Sequence, residues 1–321
     1  MTRRLISDLQ PQEQIDQIFR AADKQLRANR QGGKYILLRL TDRSGVLTGM
    51  MWNADDSTFE SFERSDFIRC KGRLQLYNGA LQLIVTEITR AKTHEVDPAD
   101  FARFDADHAD TLLVRLAELF AAIQTPELHA LGQAFLADQE FLNRLKQSAA
   151  AVSNHHAYPG GLLQHTIDLM EMARWLGPRY PQVDTDLLVM GAFLHDLGKV
   201  DELSGGDETT YTDRGQLVGH IVIGVQILGE KIEAVATRNA SPFPAVLRWK
   251  LEHLILSHHG QLEYGSPKVP LTLEAILLHH IDNLDAKMAS ANSIIQTDVA
   301  TDGNWTNYNP SLGRKLWKPA K

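Results

Sequence analysis

The sequence predicts a multidomain chain, a small all-β barrel followed by an all-α domain. Between about 35 and 91, short apolar runs alternate with turn residues, the texture of a compact β module. From Thr111 to about 300, apolar residues recur only at helical spacing. Ten of the 13 histidines fall at or after residue 155, in that second part. A length of 321 residues, 43% of them hydrophobic, is enough for two cores.

Residues 9–29 read as an amphipathic helical lead-in, with Ile15, Ile18, Phe19, Ala22 and Leu26 at helical spacing. Gln31-Gly32-Gly33 ends it. Tyr35–Thr41 and Val46–Trp52 flank the turn Asp42-Arg43-Ser44-Gly45, and a helical phrase follows from Ser57 to Ser65. Phe67–Leu74 and Leu81–Ile88 flank Asn78-Gly79, a strong hairpin signal. About five short strands in sixty residues predict a closed barrel. The polar joint Val96-Asp97-Pro98-Ala99-Asp100 is the expected boundary, which gives 1–95 as lead-in and barrel and 96–150 as linker and connecting helices. Thr111–Gln124 and Glu127–Ser148 read as helices broken at Thr125-Pro126. Residues 151–300 form the histidine-bearing helical domain and 301–321 a basic tail.

The net charge of −7 is unevenly spread: +3 over residues 1–95, −13 over 96–300 and +3 over 301–321. An acidic middle between mildly basic ends is compatible with nucleic acid, above all if the middle binds cations. The single cysteine, Cys70, rules out an intrachain disulfide and a thiolate zinc site. With no signal-like start and no apolar run of the ~18 residues a membrane span needs, the expectation is a cytoplasmic protein with no membrane partner. Homo-oligomerisation is left open.

The phrases Leu40-Thr41-Asp42-Arg43-Ser44-Gly45 and Met51-Trp52 resemble the nucleic-acid-binding OB-fold family, over roughly 30–92. Such barrels hold single strands by stacking bases on aromatic rings beside cations. Trp52, Tyr77, Arg39, Arg43, Lys71 and Arg73 are the nucleic-acid-binding candidates.

In the helical part, His165, His195-Asp196, His220, His258-His259 and Asp282 occur on successive predicted helices. Side chains distributed this way converge in the core of a helical bundle. Neighbouring positions on a helix point about 100° apart, so His195-Asp196 can serve two metal ions with the aspartate bridging. Imidazole and carboxylate ligands without thiolates favour Mn²⁺, Fe²⁺, Co²⁺, Mg²⁺ or a catalytic Zn²⁺.

This ordered set resembles the HD phosphohydrolase superfamily, and Leu194-His195-Asp196-Leu197-Gly198-Lys199 matches its signature. The resemblance implies one ion on His165, His195, Asp196 and Asp282. It implies a second on Asp196, His220 and His258, with His259 left open. Asp285 is the rival to Asp282, which the family order favours. Asp196, His195 and Lys199 are the implied catalytic residues, Lys199 either meeting a substrate phosphate or capping its helix. His155, His156, His253, His279 and His280 match no ligand slot.

The barrel followed by this domain, with Tyr158-Pro159-Gly160-Gly161-Leu162, the run from Leu256 to Pro267 and Ile281-Asp282-Asn283-Leu284-Asp285-Ala286-Lys287, looks like the YhaM-type 3′–5′ exoribonucleases. Trp305, Leu312, Gly313, Arg314 and Lys315 in the tail fit them too. That likeness implies two-metal hydrolysis of single-stranded RNA to nucleoside 5′-monophosphates, with Mn²⁺ the first choice of ion and single-stranded DNA left open as a substrate. Glu263, Tyr264 and Lys268 are expected to line the substrate channel. Two alternatives stand. One is an HD nucleotide or cyclic-nucleotide phosphohydrolase, although the Gly-Tyr-Pro element of the cyclic-dinucleotide branch is missing after His258-His259. The other is a non-catalytic single-stranded nucleic-acid-binding protein.

Overall fold

A computed structural model describes residues 4–28, 33–77, 80–97, 100–101, 106–152, 158–204, 209–297 and 304–318. Gln31-Gly32, Asn78-Gly79, Pro98-Ala99 and His155-His156 lie outside them. The chain divides into two compact units, one of residues 1–103 with 291–321 and one of residues 104–290. The C-terminal segment thus groups with the barrel, and the helices after residue 104 group with the histidine-bearing domain.

The stretch expected as a helical lead-in is instead strand β1 (Gln14–Ala28). It pairs with β2 (Lys34–Asp42) on one side and β4 (Phe67–Tyr77) on the other. With β3 (Gly45–Trp52) and β5 (Ala80–Arg90) these form a closed barrel in the order β1-β2-β3-β5-β4, with β3 and β5 parallel. The fifth strand of the barrel therefore comes from the segment that looked helical. The reason is a bulge between Ala21 and Asp23. Before it, Ile15, Phe19 and Ala21 face the core; after it, Lys24 and Leu26 turn inward. The apolar residues at helical spacing thus do not share one face: Ile15, Phe19 and Leu26 face the core because the parity flips, and Ile18 falls on the other side of the strand.

The barrel core holds Phe19, Ile36, Leu38, Leu40, Leu47, Ile68, Leu74 and Leu83, contributed by all five strands. Near one end, buried Lys24 donates to the carbonyl oxygens of Phe59 (2.8 Å) and Phe62, next to the short helix α1 (Asp56–Glu60). At the β2–β3 turn, the buried Asp42 carboxylate accepts from the backbone N–H of Ile6 (2.7 Å) and Ser44 (2.8 Å) and the Ser44 hydroxyl (2.6 Å). These bonds fix the turn that Asp42-Arg43-Ser44-Gly45 announces in the sequence.

The second unit contains helices α2 (Ala106–Ala121), α3 (Pro126–Leu136), α4 (Gln139–Gln147), α5 (Gly161–Leu176), α6 (Thr185–Leu194), α7 (Lys199–Glu202), α8 (Asp213–Val218), α9 (His220–Asn239) and α10 (Ala245–Ser257). The last helix, α11 (Leu273–Thr297), begins in this unit and runs past its end. The single helix expected over Glu127–Ser148 is two, because Asp138 turns out to cap α4 by accepting from the Phe141 N–H at 2.9 Å. Helix α6 is buried on every side from Leu187 to Leu194, so its C-terminal end delivers His195-Asp196 into the interior. No described helix is long and apolar enough to cross a membrane.

Two properties of the barrel are open to measurement. Cys70 is fully buried and its thiol is pushed up to about 12 by burial, so it should resist an aromatic disulfide reagent in native protein and titrate as one thiol once unfolded. A Cβ on Gly72 would lie 2.1 Å from the Ile84 carbonyl oxygen at the β4–β5 bulge. Gly72→Ala should destabilise the protein by about 1–3 kcal/mol or more in denaturant unfolding.

Candidate metal centre and nucleic-acid face

The centre is assembled largely from helix ends. His195 caps the C-terminus of α6 with Asp196 beside it, His220 opens α9, and His258-His259 follow α10. His165 sits in the second turn of α5, while Asp282 and Asp285 lie three apart on α11, on one helix face. Gly198 permits the convergence: a Cβ there would lie 1.9 Å from the His220 carbonyl oxygen.

Asp196 stands between two groups. Its Oδ2 lies 3.5 Å from His195 Nε2 and 3.9 Å from His165 Nε2; Asp282 Oδ1 is 3.4 Å from the His165 nitrogen and 3.9 Å from that of His195. Its Oδ1 lies 3.6 Å from both His220 Nε2 and His258 Nε2. His165, His195 and Asp282 form one cluster able to hold a cation, and His220, His258 and His259 form another.

Each ring is turned by a bond on its far side. The Nδ1–H of His195 donates to the Ala192 carbonyl at 2.8 Å, that of His258 to Ile255 at 2.7 Å and that of His259 to Tyr264 at 2.9 Å. A carbonyl can only accept, so these tautomers leave the Nε2 lone pairs facing inward. Carboxylates do the same for the other two: Glu202 Oε1 is 3.0 Å from His220 Nδ1, and Asp285 Oδ2 is 2.9 Å from His165 Nδ1. Asp282 and Asp285 thus both meet His165, on opposite nitrogens. Among the described residues, five buried side-chain atoms lack a hydrogen-bond partner, and four of them are His195 Nε2, Asp196 Oδ1, His220 Nε2 and His258 Nε2. Each orphan costs about 1–3 kcal/mol if left unsatisfied. A divalent cation satisfies imidazole lone pairs and a carboxylate together, so the donor set fits one.

The electrostatics agree. Burial opposes a charged Asp196, but Lys199 and the neighbouring imidazoles outweigh it and hold the carboxyl well below the usual range. Burial lowers His258, and it takes His259 down to about 4, which leaves both rings neutral and able to ligate at pH 7. His165 differs: burial pulls its imidazole down, but Asp282 and Asp285 overcome this and raise it to about 9, so a cation there must displace a proton. Lys199 Nζ lies 2.6 Å from Asp196 Oδ2, pairing with the carboxylate rather than merely closing its helix. His253 accepts from the Leu271 N–H (2.9 Å) and the His279 Nδ1–H donates to the His258 carbonyl (2.8 Å); His280 is exposed. Tyr264 meets the centre through its carbonyl, with its side chain exposed.

On the barrel, Trp52 is exposed and packs on Tyr35, ring centroids 5.2 Å apart. Arg39, opposite Thr48, and Arg73, opposite Ile84, are both exposed on the outer surface, on β2 and β4, which are not neighbours in the barrel. Lys71 also faces outward but is bound to Glu87 at 3.0 Å. Tyr77 is exposed at the opposite end of the strands, roughly 20 Å from Trp52 along them. Arg43 lies in the β2–β3 turn, roughly 25 Å along β2 from Tyr35. Trp52 thus has Tyr35 as its ring neighbour, Arg39 lies roughly 13 Å along β2 from Tyr35, Arg73 stands two strands away from β3, and Tyr77 and Arg43 lie farther off. A further cleft in this unit, about 600 Å³, is lined by charges of both signs, including Arg4, Arg69, Asp16 and Glu95.

Residues 162–287 match the family model of the HD domain, and residues 20–91 match that of the OB-fold nucleic acid binding domain. The chain carries an OB fold and an HD domain. The solution structure of the second OB-fold domain of replication protein A from Methanococcus maripaludis is 21% identical, covering 28% of this chain and 95% of its own, with a TM-score of 0.23. The HD match marks residues 162–287 as a metal-dependent phosphohydrolase domain, and the two clusters around Asp196 lie within it.

Sequence reasoning missed two residues of the HD centre's surroundings. Tyr35 on the OB face was likewise unnoticed as the partner of Trp52. Glu202, which binds both the backbone N–H (2.9 Å) and the ring of His220, follows one turn after Lys199, and that proximity to the signature was the available signal. Asp285, on sequence the rival to Asp282 as a ligand, instead supports the His165 ring. Supporting groups of this kind are worth 10–100-fold in metal affinity as an order of magnitude. Glu202→Gln and Asp285→Asn should each weaken Mn²⁺ binding by about that factor in titration calorimetry. Wild-type affinity in either supporting variant would remove the assigned role.

Proposed function

We propose that the chain is a metal-dependent 3′–5′ exoribonuclease that hydrolyses single-stranded RNA to nucleoside 5′-monophosphates. The observation that carries this reading is Asp196, whose two oxygens face separate groups of inward-aimed imidazoles in a chain that also has an OB fold. Two divalent cations, Mn²⁺ first among them, would be held by His165, His195, Asp196 and Asp282 and by Asp196, His220, His258 and His259; when bound they supply an acidified water and positive charge for the phosphate.

The chain's own residues do the rest. Asp285 and Glu202 keep the His165 and His220 rings turned inward, so the donor set is formed before substrate arrives. Lys199 balances the buried Asp196 carboxylate and adds a cation for a phosphate oxygen. On the barrel, Trp52 and Tyr35 offer ring faces to bases while Arg39 and Arg73 answer the phosphates. Stacking on ring faces is indifferent to base identity, as an exonuclease requires. A mononucleotide hydrolase has no need of a strand-holding face, and a purely binding protein has no need of four orphaned ligand atoms.

The decisive assay is timed digestion of 5′-labelled single-stranded RNA with Mn²⁺, beside Asp196→Asn and a DNA strand of the same sequence. Wild type should give a one-nucleotide ladder and the variant none, with the DNA lane setting the sugar preference. Intact RNA in every lane, with metal bound, would falsify the reading. Trp52→Ala should raise KM on long RNA by about 5- to 150-fold with kcat little changed, the range expected for one stacked base.

A further inference from the structure

Beside the His220 half of the centre lies a cavity of about 330 Å³. Its lining combines polar groups, Lys199, Glu202 and His220, with apolar ones, Ala151, Val152 and the Tyr211 ring. Its volume is at the small end for ligand pockets, which run from about 300 to 1,000 Å³, so it suits a single nucleotide unit.

Tyr211 is held firmly for a residue in a connecting loop. It forms an antiparallel bridge with Leu203, flanked by bonds from the Ser204 N–H to the Thr210 carbonyl (2.8 Å) and from the Thr212 N–H to the Glu202 carbonyl (2.9 Å). Thr212 then caps α8, accepting from the Gly215 N–H at 2.9 Å. The tyrosine is therefore mounted on the same ribbon as Glu202, which orients a ligand of the centre. Yet its side chain is 49% exposed. An exposed aromatic ring on an anchored backbone, lining one cavity with Lys199 and His220, suits a base-stacking platform.

We propose that this cavity is the subsite for the base of the reacting nucleotide. The Tyr211 ring stacks on the base, Ala151 and Val152 close the apolar wall, and the phosphate end points toward Lys199 and His220. A ring platform reads the face of a base and not its edge, so the subsite accepts all four bases. The proposal rests on the phosphohydrolase reading of the same centre.

The test is calorimetric binding of AMP and of ribose 5-phosphate to the full chain with Mn²⁺, for wild type, Tyr211→Ala and Tyr211→Phe. Wild type should prefer AMP by about 5- to 150-fold, the range for one stacked base. Tyr211→Ala should erase that preference and Tyr211→Phe retain it, because the ring and not the hydroxyl does the stacking. An unchanged preference in Tyr211→Ala, its loss in Tyr211→Phe, or equal binding of the two ligands by wild type would overturn the proposal. The RNA ladder is read separately. A preference for AMP with no ladder would sink the exonuclease and leave the subsite standing, and a ladder without the preference would do the reverse.

Discussion

A single buried carboxylate, Asp196, constrains the HD domain more than any other group. It is 5% exposed, a position in which an unpartnered anion would be lost to protonation. Lys199 answers one oxygen directly, and imidazoles from three other elements stand around the pair. The surrounding helices must end or begin where they do for this to hold. Helix α6 is wholly apolar so that its terminus can lie inside, and α9 must start at His220, against Gly198, where a methyl group would collide with backbone.

Most of the remaining order serves to aim nitrogens. Backbone carbonyls of Ala192, Ile255 and Tyr264 fix three rings, and carboxylates of Glu202 and Asp285 fix two more. Helix ends suit this task because their last carbonyls have no partner within the helix, so a histidine just beyond the terminus finds an acceptor at once. The orphaned Nε2 atoms follow from the same bonds: a proton committed to Nδ1 leaves a lone pair on the other side. Pre-formed donors of this kind lower the reorganisation needed when a cation binds.

The OB fold brings a different sort of chemistry. Its outer surface carries the Trp52–Tyr35 pair and exposed arginines on β2 and β4, and its core is closed by polar anchors, Lys24 and Asp42. Rings and cations on a rigid sheet can grip a strand without reading its sequence, whereas under the proposed function the HD centre would act at one phosphate. Under the further proposal, the Tyr211 cavity would extend that logic to the last base.

Much was legible in the chain itself. The two classes of texture, the Asp42–Gly45 turn, the helical run of histidines and the His195-Asp196 signature are local patterns, set by side-chain periodicity and turn chemistry. Local patterns fail where a long-range contact decides. Apolar Ile18 on the outer side of β1 and the parity flip at Ala21/Asp23 together masked the alternation of the strand, and a bulge is defined by the partner strand and not by the strand's own residues. Asp282 and Asp285 share one helix face, so spacing alone could not divide their work; only the position of His165, 120 residues earlier in the chain, puts one on each ring nitrogen. Glu202 and Tyr35 likewise acquire meaning only through the groups they meet, His220 and Trp52. The sequence by itself determined which residues could ligate and on what elements they ride. Which way each donor points was decided by the tertiary structure, since direction comes from bonds between segments far apart in the chain.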